Sequence, residues 1–106
     1  MNVEFMYDQR LHIHLPVLHT SWDNLDSDTQ GYVLEKWEES RGIIPDRVKE
    51  LEIVINKKQA ALESEMNFEQ SCIINSEISE FASKINDLWI WFRLDLSLSA
   101  QQKSSP

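Results

Sequence analysis

One cysteine, two glycines and three prolines are all that 106 residues contain of the types that most often staple or punctuate a chain. A lone Cys72 excludes an internal disulfide, and its setting in Ser71-Cys72-Ile73-Ile74 points to a buried, unreactive thiol. With only Gly31 and Gly42, the chain has no Gly-rich phosphate-cradling loop and no nucleophile elbow. Positive charge is scarce too. Ten Lys and Arg against 18 Asp and Glu leave a net charge of −8, and no predicted helix carries a basic stripe, so direct nucleic-acid binding is disfavoured. No run approaches the roughly 18 apolar residues of a membrane span, and Met1-Asn2-Val3-Glu4-Phe5 lacks the basic start and apolar stretch of an export signal. The expected compartment is a reducing cytoplasm, with no membrane partner.

What is present suits one folded domain. A composition of 42% hydrophobic and 26% charged residues is that of a globular protein rather than a disordered segment, and the length rules out an enzyme barrel or a doubly wound sheet. Acidity is concentrated early: residues 23 to 45 hold six acids (Asp23, Asp26, Asp28, Glu35, Glu38, Glu39) against Lys36 and Arg41.

At the N-terminus, Val3, Phe5 and Tyr7 alternate with polar or longer residues, Asp8-Gln9 interrupts, and Leu11, Ile13 and Leu15 alternate with Arg10, His12 and His14. The pattern predicts a short β-hairpin, with an extended arm as the fallback because Asp-Gln is a poor two-residue turn. Pro16 ends the second strand or confines it to an edge. A first helix is expected near 26 to 41, with Ser21 or Asp23 available as a cap, further acids in its first turn, and Gly42 as its left-handed terminator. Ile43-Ile44-Pro45 then reads as a connector, and Pro45-Asp46 as the opening of a second helix.

From Asp46 to about Leu96 the chain has no Gly or Pro. Val48, Leu51, Ile55, Leu62 and Met66 form one helical stripe; Ile74, Ile78, Phe81, Ile85, Leu88 and Phe92 form another, displaced from the first by roughly 100° at 100° per residue. A straight helix cannot hold both on one side. A turn between Asn67 and Asn75, with Asn75 or Ser76 capping a third helix, sets the stripes face to face; a single bent rod packed on a second chain is the alternative. The expected fold class is therefore mainly α: a short N-terminal β-hairpin or extended arm, then three helices, the last two a long antiparallel helical hairpin. Residues 1–99 are expected to form a single domain and 100–106 a mobile polar tail.

Candidate chemistry is thin. His12-Ile13-His14-Leu15 resembles, over four residues, the paired-histidine element that opens metal-dependent amidohydrolases, a family whose barrel does not fit into this length. A freestanding metal site would need His19 and Asp23 as further ligands, at a spacing that matches no metal motif. Glu77 and Glu80 share a helix face, as Glu35 and Glu38 do, resembling half of the Mg²⁺ site of all-helical nucleotide pyrophosphohydrolases; the Glu-x-x-Asp partner motif is missing after Glu80. No catalytic residue, metal ligand or cofactor is assigned.

The remaining signal is aromatic. Leu88-Trp89-Ile90-Trp91-Phe92 is apolar all round the helix, more than one neighbouring helix can cover. Trp89, Ile90, Trp91 and Phe92 are thus the expected partner-binding residues, the partner being another protein or a second copy in a homodimer. The resulting functional expectation is a small acidic cytoplasmic adaptor or regulatory protein without catalytic activity. Its rivals are a metal-binding or Mg²⁺-dependent phosphate-chemistry enzyme and a structural subunit of a larger assembly.

Overall fold

Residues 3–18 form an antiparallel hairpin, β1 (Val3–Asp8) paired with β2 (Ile13–Leu18), in a computed structural model that describes residues 2–96. The connection is not the two-residue Asp8-Gln9 turn. It spans Gln9–His12, and Asp8 closes it twice, its carbonyl accepting from the His12 N–H at 2.7 Å and its carboxylate from the Leu11 N–H at 2.8 Å. His12 takes the left-handed φ of 62° that Gly or Asn would otherwise supply. Pro16 does not end β2. The His19 N–H donates to the Asn2 carbonyl at 2.8 Å, which puts the hydrogen-bonded pairs on even-numbered β1 residues. Pro16 faces Phe5 in a non-hydrogen-bonded pair, where its missing N–H would have pointed away from the ladder.

After a 3₁₀ turn at Trp22–Asn24 the chain enters α1 (Ser27–Ser64), capped by Asp26, which accepts from the Thr29 N–H at 2.7 Å. Hydrogen bonds from the Thr29 side chain and main chain hold the Asp26 carboxyl below its ordinary pKa. The expected break at Gly42–Pro45 does not occur, so the described residues form two long helices and not three. Gly42 has no positive φ, and Pro45 sits inside the helix. An interior proline costs about 3 kcal/mol, but Ile44, Val48 and Leu51 on either side of it are almost completely buried. Each of these contributes about 1.5–3 kcal/mol, which together outweighs the penalty.

α1 ends at Ser64, and the chain reverses over Glu65–Asn67 into α2 (Phe68–Arg93). The reversal is real but earlier than the stripes imply. Asn67, not Asn75 or Ser76, is the cap, its side chain accepting from the Gln70 N–H at 3.0 Å. One consequence is that Met66, counted in the first stripe, lies beyond the helix end and is 98% exposed. A second is that Cys72 is exposed and not buried: Ile74 is the residue facing α1, and Cys72 lies roughly 200° from it around the helix.

The two stripes do face each other, but the packing is unequal along them. Leu11 and Ile13 of the hairpin join Trp37, Ile44, Val48, Leu51 and Leu88 in one buried cluster, and Val3, Trp22, Leu25 and Val33 form a smaller one beside it. Arg10 fastens the hairpin loop to α2, donating to Asp87 at 2.6 Å and to Ser83 at 2.9 Å. These carboxylate contacts raise its pKa, led by the hydrogen bond to Asp87. Toward the far tip Ile74 is the one buried hydrophobic among the described residues. The radius of gyration of 18.2 Å exceeds the about 13 Å of a compact domain this size, and the long axis of 59 Å matches the roughly 57 Å that 38 helical residues span. Among the described residues no helix is long and apolar enough to cross a membrane. The polar tail, residues 100–106, lies outside the described residues.

Gly42→Ala separates the continuous helix from a helix terminus. A Cβ at Gly42 would meet nothing within 4 Å, so urea unfolding should show a gain of about 0.5–1 kcal/mol, whereas a left-handed terminator would lose stability on the same change.

Candidate functional site

Helical periodicity around the end of α2 determines where each aromatic residue goes. Leu88 points into the core at 0% exposure, and Trp91 and Phe92, three and four residues on, share its side of the helix. Trp91 meets Trp37 of α1 edge-to-face, with ring centroids 5.6 Å apart. Phe92 lies edge-to-face with Trp89 at 5.3 Å, and the Arg41 guanidinium sits 4.9 Å above its ring while donating to its carbonyl at 3.0 Å. Trp89, Trp91 and Phe92 are therefore half-buried and packed against their own core. Ile90 points outward at 49% exposure. The cover that one helix could not give comes jointly from α1 and the β-hairpin. Trp37 is enclosed so fully that its indole Nε1 finds no acceptor among the described residues, a cost of about 1–3 kcal/mol that the surrounding apolar contacts offset.

The histidines do not converge. His12 lies in the turn and His14 in β2, both exposed and grouped around Tyr7, with ring centroids 6.2 Å and 5.2 Å away. His19 is at the other end of the hairpin, 3.2 Å from Glu4. Five residue steps along extended chain separate it from His14, roughly 17 Å. Of the paired acids, Glu77 meets Lys58 at 3.2 Å, Glu80 meets Arg10 at 3.6 Å and Glu38 meets Arg41 at 3.3 Å. Among the described residues no three His, Cys, Asp or Glu side chains are placed to hold a metal ion.

Two surfaces that the sequence reading passed over stand out. Met66 and Phe68 flank the Asn67 cap at the tip of the helical hairpin, 98% and 81% exposed. The signal for them was the cap itself: an Asn between two large apolar residues, masked by a stripe count that ran on through Met66. The other is a groove of about 740 Å³ between β1 and the N-terminal half of α1, lined by Val3, Phe5, Tyr32, Lys36, Glu39 and Ile43 among others. No protein-family model, curated protein or solved structure matches the chain.

Replacing Trp91 and Ile90 separately tests this division. Trp91→Ala should lower folding stability by about 2 kcal/mol or more in urea unfolding, through loss of the Trp37 contact. Ile90→Ala should stay within about 0.5 kcal/mol of the wild type.

Proposed function

We propose that this is a non-catalytic interaction protein of the cytoplasm, an adaptor or regulator, that docks another protein on the outer surface of its helical hairpin. The observation that carries the reading is the tip. Met66 and Phe68 leave their side chains in water at the far end of a 59 Å molecule, where they stabilise nothing within the subunit. Burying a phenylalanine is worth about 1.5–3 kcal/mol, which a partner can realise and the free chain does not. At the base, Ile90 and the uncovered flanks of Trp89, Trp91 and Phe92 offer a secondary contact of the same apolar character. A long helical hairpin with its core at one end is a means of holding such a tip away from the body of the protein.

Capture from a cytoplasmic extract tests the reading. The bait is wild type, Phe68→Glu or Ile90→Glu, with circular dichroism confirming that each variant is folded. Phe68→Glu should lose the retained protein at least tenfold, while Ile90→Glu should weaken it less. Equal retention by wild type and Phe68→Glu would rule out the tip as the docking surface.

A further inference from the structure

Among the described residues the hairpin is a sheet of two strands, and none of them pairs with β1 on the side away from β2. Its ladder bonds use Asn2, Glu4, Met6 and Asp8, which leaves the N–H and C=O groups of Val3, Phe5 and Tyr7 directed at that open side. Beside the open edge runs the groove of about 740 Å³ whose other wall is Tyr32, Lys36, Glu39 and Ile43 of α1. We propose that this edge is where a second copy of the chain binds, β1 pairing antiparallel with β1 about a two-fold axis through Phe5 to give a four-stranded sheet.

Each wall of the groove is self-complementary. Centred on Phe5, self-pairing of β1 sets Phe5 against Phe5, Val3 against Tyr7 and Glu4 against Met6, so no like charges lie opposite one another. The pairs formed by Val3, Phe5 and Tyr7 are those that exchange two hydrogen bonds each, which satisfies every outward main-chain group. A reversed copy of α1 laid alongside sets Tyr32 against Ile43 and Lys36 against Glu39, both pairs centred between Trp37 and Glu38. Val3 packs with Val33 of α1 and Phe5 against both buried clusters, so β1 runs beside the stretch of α1 that holds the second centre. α1 lies mainly against β2, so the two copies of α1 stand three strand spacings, roughly 14 Å, apart, a gap that the long Lys36 and Glu39 side chains reach across. The net charge of −8 per copy opposes approach at long range, but is screened beyond about 8 Å at physiological salt.

The groove shares no residue with the hairpin tip, so this proposal and the docking function fail separately. Sedimentation velocity over a concentration series at physiological ionic strength tests it. Wild type should show a concentration-dependent dimer. Tyr7→Pro removes an outward N–H without touching the β1–β2 ladder and should abolish the dimer. Lys36→Glu and Glu39→Lys, both on an exposed helix face, should each weaken it roughly tenfold. Mixing those two variants should restore a heterodimer, since each copy then supplies the charge the other lacks. A wild type that stays monomeric at millimolar concentration overturns the proposal, as does a dimer that none of the variants weakens, or a monomer whose β1 edge accepts a foreign extended peptide instead.

Discussion

Leu11 and Ile13, carried on the β-hairpin, are wedged against Ile44, Val48 and Leu51 of α1 and Leu88 of α2, and the architecture depends on this contact. Two helices alone bury only the facing stripe of each. The wedge gives the helices a third surface at their base, which explains how α1 remains helical through Pro45 and how α2 ends in a segment apolar on every side. Arg10 and Arg47 lock the loop that carries the wedge, the first to Asp87 and Ser83, the second to the Leu11 carbonyl at 3.2 Å.

Much of this was legible in residue spacing. Alternation across Val3–Tyr7 and Leu11–Leu15 marked the hairpin, and the phase shift between the Val48 and Ile74 stripes marked a reversal of the chain. Misreadings arose where local signals compete with packing. Gly42 and Pro45 carry strong terminator preferences, yet the burial of Ile44 and Val48 on both sides outweighs them, so the expected first and second helices are one. Asn67 and Asn75 are equally good caps by residue type, and only the contact of Ile74 with α1 decides between them. Cys72 follows from that shift: a start at Phe68 turns its side chain to water.

The site was less legible, for a physical reason. A run such as Trp89–Phe92 announces that it needs cover without saying whether the cover is internal, and here Trp37, Arg41 and the hairpin provide most of it. Open edges and tips are defined by what fails to pack on them. Periodicity does not reveal that Val3, Phe5 and Tyr7 direct their main-chain groups away from β2, because the register of β2 determines it. The fold thus divides into an anchored base and a projecting tip, and the proposed interactions use the parts that the wedge leaves uncovered.

Native-state hydrogen exchange tests the unequal anchoring most directly. If the wedge holds the fold together, amides of residues 37–51 in α1 and 81–92 in α2 exchange only through global unfolding, while those of residues 56–75 exchange through a local opening of lower free energy. Protection uniform along both helices, or greater at the tip than at the base, would contradict the account.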